Sequence, residues 1–360
     1  MRPVNEAELA EAVAGAQGPL LVRGGGTRTL GHATGKVLET GGLSGVELYE
    51  PGALTLVVRA GTPLAEVERV LAAERQRLAF EPPDLRGLMG REGVSTIGGV
   101  VAANASGPRR VQVGACRDAC LGVRFVDGSG TVIKNGGRVM KNVTGYDLVK
   151  LFAGSRGTLG VLTEVSFKVQ ALPEAEATLI VEGFGDEAGL SALRTALGSP
   201  FDVSGAARHT GRSLIRVEGM AGSVAYRVAR LRERIGGDVT LAEGAASAEL
   251  WRELRDVVPL QGQPGEVWRI ATLPTTAAGI VARLEASAVW DWGGGLVWLL
   301  VEPGRGAEVA ATVAGRGHAT LVRGQGGPIF PPEAPEVMTL VAGLKAKFDP
   351  RGILNVGMMG

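Results

Sequence analysis

The sequence is short of several things, and each shortage closes a class of function. Only two cysteines occur, Cys116 and Cys120 in CRDAC, with no C-x-x-C and no second pair. Zinc ribbons and iron–sulfur cradles are therefore excluded, and two free thiols in the core are the expected state. The three histidines, His32, His209 and His318, stand far apart and offer no metal-ligating spacing. Neither sign of charge is in excess: the formal net charge is +1, so nucleic acid is not an expected partner. No apolar run approaches a membrane span, and the acidic start MRPVNEAELAEAV lacks a signal-peptide core, so a cytoplasmic location is expected. The dinucleotide pattern G-x-G-x-x-G and the P-loop pattern are both missing.

Glycine is what the chain has in excess, with 56 residues, about twice the ordinary share. Its clusters fall at Gly24–Gly26, Gly41–Gly42, Gly98–Gly99, Gly154–Gly160 and Gly293–Gly295. Glycine lets backbone approach a ligand closely, so the clusters that follow strands or open helices matter most. PLLVR (19–23) reads as a buried strand running into RGGGTRTLG. Asn5 with Glu8 reads as a capping box, and Thr62-Pro63 as the N-cap and first residue of the helix LAEVERVLAAE. STIGGVVAANASG (95–107) reads as a loop entering a short helix of small residues, with Thr96 as a hydroxyl donor. LGVRFVDGSGTVIKN (121–135) is a predicted hairpin, and Asp147 a predicted cap for the helix that follows. Pro173 and the acidic PEAEAT stretch mark a boundary, beyond which strands and helices mix without glycine clusters.

Backbone N–H groups in glycine-rich turns suit a pyrophosphate, because they donate without side-chain crowding. On spacing alone, each cluster could equally be an ordinary turn or a close helix contact. Their order is more specific. GGGT, the AGTPLAEVERVL helix, TIGGVVAANASG, VGACRDACLGVRFVDGSG and KNVTGYDLVKLFAGSRGTLGVLTEVSFKV resemble, over roughly residues 18–172, the FAD-binding domain of the vanillyl-alcohol oxidase and p-cresol methylhydroxylase superfamily. Within it the chain looks like the smaller flavin subunits (E subunits) of bacterial glycolate oxidase, through GPRR (107–110), GGRVMKNVTGYDL (136–148), EVWRI (266–270), DWGG (291–294) and GHAT (317–320). FDPRGILNVG is similar to the superfamily's C-terminal tail.

The resemblance implies an α+β fold: an FAD-binding domain of two subdomains at 1–172, a small α+β cap at 173–327, and a segment at 328–360 returning to the FAD-binding domain. It implies a first pyrophosphate loop at Gly24, Gly25, Gly26, Thr27 and Arg28, and a second at Ser95, Thr96, Gly98, Gly99, Asn104 and Gly107. Gly114 matches a glycine that lets the chain pass the flavin, Gly160 and Val161 a backbone stretch beside it, and Asn355 the returning tail. Members that bind FAD covalently through the first loop carry His where Thr27 stands, so the FAD is expected to be non-covalent. Arg156 stands where many relatives have Glu, and Val356 and Met358 where the tail usually has Pro and Arg. The His-x-His of the superfamily's 2-hydroxy-acid dehydrogenases is missing.

Oxidising a 2-hydroxy acid needs a cation for the carboxylate and a base for the hydroxyl proton. His318, Arg269, Arg323, Trp292, Tyr146 and Lys141 are the candidates, yet they assemble no complete site in the sequence. The expected function is an FAD subunit of a glycolate oxidase complex, converting small 2-hydroxy acids to 2-oxo acids beside a larger flavin subunit and an iron–sulfur subunit. Membrane association, if any, would come through those partners. A self-sufficient FAD oxidoreductase and a non-catalytic assembly subunit are the two alternatives. An apolar patch around Val337 to Leu344 is expected to dock the larger subunit.

Overall fold

Asn5 opens the first helix, Glu6–Ala14, as its spacing to Glu8 predicts: its Oδ1 accepts the Glu8 N–H at 2.9 Å, and Glu8 accepts the Val4 N–H in return. In the computed structural model of the chain, residues 1–31, 33–138, 145–325 and 328–358 are described. The buried side of that helix, Leu9 and Val13, packs on a two-stranded parallel sheet, Leu20–Arg23 with Lys36–Glu39. The C-terminal tail joins the same layer. Leu20 and Leu354 form a parallel bridge, and Leu20 donates to the Ile353 carbonyl at 2.7 Å.

The second subdomain is a five-stranded antiparallel sheet in the order Val46–Glu50, Thr55–Arg59, Val161–Lys168, Cys120–Val126, Val132–Gly136. The last two strands are the hairpin read from LGVRFVDGSGTVIKN. Helices Leu64–Ala73 and Ile97–Ala102 cover its inner face through Val67, Leu71, Ile97, Val100 and Val101. Cys116 and Cys120 are both buried free thiols here. Thr62 does not cap the Leu64 helix as its sequence context predicts. The cap position falls on Pro63, because the buried Thr62 hydroxyl donates to the Arg59 carbonyl at 2.7 Å and accepts the Gly45 N–H.

Residues 175–323 build an eight-stranded antiparallel sheet in the order Asp238–Glu243, Ala175–Glu182, Arg212–Gly219, Val203–His209, Ser287–Asp291, Leu296–Val301, Glu266–Thr272, Gly317–Arg323. Side chains alternate across a strand, so this sheet carries two cores. Ala206, Ile215, Ile270, Val297 and Leu299 face helices Asp186–Leu197, Ala221–Ile235, Ala277–Leu284 and Gly306–Val313. Ala207, Leu214, Val267, Leu296 and Trp298 face the other way. There they meet Trp251 and Leu254 of helix Gly244–Arg255, and Leu30 and Leu88 from the glycine-loop half of the chain.

That second face is also tied by charge. Arg109, 1% exposed, pairs with Glu218 on the sheet, Arg77 reaches the same carboxylate at 2.7 Å, and Arg216 pairs with Glu81 at 2.8 Å. The helix Pro335–Phe348 then crosses back, held at its end by Lys345 Nζ on Asp349 and on the Thr158 and Leu354 carbonyls, and by Phe348 against Phe152. Its apolar residues Met338, Leu340 and Val341 stay 50%, 70% and 47% exposed.

Candidate FAD site

The two glycine loops touch. A Cβ on Gly24 would fall 2.5 Å from Thr96 Oγ1, and one on Gly25 would be driven into the Val94 carbonyl. Gly98 is equally confined, with an added Cβ 2.7 Å from the Ala60 carbonyl oxygen. Thr96 caps helix Ile97–Ala102 by accepting the Gly99 N–H at 3.3 Å. Arg28 staples the loops from behind, donating to Ser95 Oγ and to the Pro83 carbonyl. Desolvation by burial lowers its pKa, but the attached acceptors keep it in place as a strut.

Between the loops runs a half-open cleft of about 100 Å³, lined by Gly24 to Arg28, Thr96, Gly98, Gly99, Gly160, Val161 and Asn355. Small residues Ala60, Ala102 and Ala103 keep its walls back, and Arg156 and Met358 enter from the far side. Asn355 closes the cleft's corner: its Oδ1 accepts the Val22 N–H at 2.7 Å, and its Nδ2 donates to the Arg156 carbonyl at 2.7 Å. The donors are backbone N–H groups and hydroxyls with no carboxylate among the lining side chains, as a pyrophosphate requires. The residues present therefore fit FAD.

Other residues singled out in the sequence lie outside the cleft lining. Ser95 Oγ accepts from Arg28 and keeps its own O–H as a donor. Asn104, at φ 46°, uses its side chain to accept the Arg117 N–H. Gly107 packs under the cap, where its carbonyl accepts the Trp292 indole N–H at 3.1 Å. Gly114, at φ 82°, shapes the turn into Cys116–Ala119, and a Cβ there would fall 2.8 Å from Asp118 Oδ2. These four lie beside the loops rather than in the cleft lining, and the Ser95 hydroxyl and the Asn104 amide keep a donor each.

The catalytic candidates separate further. His318 is exposed on the edge strand Gly317–Arg323 and is not among the residues that line the cleft. Tyr146 is 88% exposed. Arg323 spends its guanidinium on the Leu88, Leu260 and Gln263 carbonyls, a structural use. Lys141 and His32 lie outside the described residues. Asp147 caps helix Leu148–Phe152, accepting the Lys150 N–H at 3.2 Å. Trp292 and Arg269 remain, stacked with the Arg269 guanidinium 5.3 Å from the indole centroid.

Sequence reasoning did not single out Asp291, Arg110 or the adjacent role of Arg156. Asp291 is buried beside Trp292, and burial lifts its carboxyl to about 7. Unfolded, it would ionise near pH 4. Below about pH 4 both states keep the proton and the residue costs nothing. As pH rises to 7, the unfolded chain loses its proton first, so native stability declines and stays lower above 7. Asp291→Asn keeps an acceptor for the Trp292 N–H and removes the titration. It is expected to be more stable than the parent at pH 8 by about 2–4 kcal/mol, and equal at pH 4, in urea unfolding. A difference independent of pH would contradict this account.

Thr27, only 4% exposed, lines the cleft where the resemblance would place His in a covalently linked member, and it carries no imidazole. Bound FAD is expected to leave entirely on acid precipitation. Yellow colour kept in the washed pellet would instead indict His32.

Comparisons with known proteins agree with this geometry. The family described as FAD binding domain matches residues 1–136. Glycolate oxidase subunit GlcE of Escherichia coli (strain K12) is 36% identical over 346 residues, 95% of this chain and 92% of that one. Glycolate oxidase subunit GlcD of Bacillus subtilis (strain 168) is 35% identical over 166 residues, covering 45% of this chain and 34% of its own. Among solved structures, alkyldihydroxyacetonephosphate synthase matches 99% of this chain and 76% of its own with a TM-score of 0.70 at 17% identity, which shows a shared fold. The chain belongs to the family of the glycolate oxidase subunit GlcE, an FAD-binding branch of the vanillyl-alcohol oxidase and p-cresol methylhydroxylase superfamily.

Proposed function

We propose that this chain is the smaller FAD subunit of a complex that oxidises glycolate and related 2-hydroxy acids to 2-oxo acids. The observation that carries the reading is likeness to a glycolate oxidase subunit along nearly the whole of both chains, with the glycine cleft intact. Bound FAD would supply a two-electron acceptor. Gly24 to Gly26, Thr96 and Gly98 to Gly99 would hold its pyrophosphate, and Asn355 would lock the tail against it.

Dependence on partners follows from what the cap presents. His318 is not among the residues that line the cleft, and among the described residues no group of three or more His, Cys, Asp or Glu could hold a metal ion. Electrons leaving this chain also have no cysteine-bound relay, so a larger flavin subunit and an iron–sulfur subunit are the working partners. The exposed face of Pro335–Phe348, around Leu340 and Val341, is the surface we assign to the larger subunit. No helix among the described residues is long and apolar enough to cross a membrane, so attachment to its inner face would run through the complex.

The test compares glycolate-dependent dye reduction by this chain alone, by the larger subunit alone and by the reconstituted complex. Turnover is expected only on reconstitution, and to be lost with Leu340→Glu/Val341→Glu. Full turnover by this chain alone would replace the reading with a self-sufficient oxidoreductase. A purified chain that carries no flavin would favour an assembly subunit.

A further inference from the structure

Where the cap meets the glycine-loop half, three guanidinium groups gather with no acceptor among the described residues. Arg110, in helix Arg110–Val113, lies 4.5 Å from the Trp292 indole centroid. Arg269, on the cap strand Glu266–Thr272, lies 5.3 Å from the same indole. Arg156 enters from the cleft wall, 5.4 Å from the Phe330 ring. The indole itself is pinned across the seam by its hydrogen bond to the Gly107 carbonyl.

The contrast with the chain's other interior arginines is what makes this cluster informative. Arg109 ends on Glu218, Arg208 on Asp186 at 3.0 Å and Arg216 on Glu81 at 2.8 Å. Arg110, Arg156 and Arg269 have no carboxylate, carbonyl or hydroxyl acceptor among the described residues, although each is a fork of five donors. The three guanidinium groups are partly exposed rather than fully buried, so water reaches them, yet setting like charges beside one another is still costly. Burial first, then repulsion from Arg110 and Arg156, holds Arg269 down to about 10, and burial alone does the same to Arg156. The carboxylate nearest in charge terms, Asp291, accepts the Trp292 N–H at 2.7 Å and keeps its proton up to about pH 7. A fold keeps such a cluster where an anion arrives to complete it.

We propose that Arg110, Arg156 and Arg269 form a binding site in this chain for a small carboxylate of the 2-hydroxy-acid or 2-oxo-acid class, seated against Trp292 at the cap end of the cleft. Planar forks on a ring match a carboxylate with a neighbouring oxygen, which takes two parallel N–H bonds from one arginine and further bonds from the others. The indole fixes the planes of two of the forks, so less order is lost on binding. The inference rests on the flavoprotein reading above and adds to it that the smaller subunit binds carboxylate itself.

The experiment titrates oxalate, which has no hydroxyl hydrogen to give up, into the FAD-loaded chain by calorimetry and by the flavin difference spectrum. Binding is expected to be one to one. Arg269→Met and Arg110→Met, which keep a flexible apolar stem against the indole, should each weaken it about 10- to 100-fold. The exposed Arg230→Met should leave it unchanged. Absence of oxalate binding by the parent, or equal affinity in all variants, overturns the site. So does loss of FAD from Arg269→Met or Arg110→Met, because the cluster would then be completing the cofactor's phosphates. Oxalate binding can fail while the reconstituted complex still oxidises glycolate; that result ends the carboxylate site and leaves the subunit assignment standing.

Discussion

Gly25→Ala is expected to purify as a colourless protein. Its Cβ would collide with the Val94 carbonyl, and backbone cannot rotate aside as a side chain can. The loop must therefore shift as a unit, and the donors that face the cleft shift with it. Forced backbone movement of this kind costs about 1–3 kcal/mol, which is about five- to more than a hundredfold in cofactor affinity. Gly24→Ala supplies the graded comparison. Its Cβ meets the Thr96 hydroxyl at 2.5 Å, a side-chain atom that can turn away, so partial flavin retention is expected. The measurement is the ratio of flavin to protein absorbance, with far-ultraviolet circular dichroism to show that both variants are folded. A folded Gly25→Ala that keeps its full flavin content would remove the two-loop cleft as the cofactor site.

The second large effect is expected at the seam. Glu218 is 3% exposed at its side chain and neutralises Arg109, itself buried, while Arg77 and Arg216 lean on the same carboxylate. Removing it in Glu218→Ala leaves a buried arginine without its partner, which costs about 3–5 kcal/mol. Arg109→Met in that background should recover part of the loss, since it removes the stranded charge. The pair also fixes an acid limit. Burial opposes ionisation of Glu218, but Arg216, Arg109 and Arg77 outweigh it and hold the carboxyl at about 2. Its folded pKa is therefore below the unfolded one, so its contribution is complete above about pH 4.5 and is lost as pH falls towards 2. Urea unfolding of parent and variant should converge over that interval. A gap that persists unchanged to pH 2 would show that packing, not charge, is what Glu218 supplies.

The GPRR motif shows how neighbours in sequence divide in space. Arg109 and Arg110 are adjacent and chemically identical. One is a paired tie between the two halves of the molecule, and the other faces an indole with no acceptor among the described residues. A single peptide unit turns the two side chains to different surroundings, and only the burial of Glu218 and the placement of Trp292 tell them apart.

The sequence by itself determined the local chemistry. Strand, glycine turn and small-residue helix are set by near-neighbour sterics, and it was the resemblance carried by their order that named Gly24 to Arg28, Thr96, Gly98 and Gly99 before any coordinates. The same holds for the Asn5 and Asp147 caps, whose partners lie three residues away. What only the tertiary structure decided is which polar groups are already engaged. Thr62 fails as a cap because a carbonyl three residues back takes its hydroxyl, while Ser95, Asn104 and Gly107 lie outside the cleft lining and accept from Arg28, Arg117 and Trp292. His318 is placed on an edge strand by sheet order, which no local pattern encodes. The arginine cluster was invisible for the same reason. Arg110, Arg156 and Arg269 come from three segments more than forty residues apart, and only folding sets their charges side by side with no acceptor among the described residues.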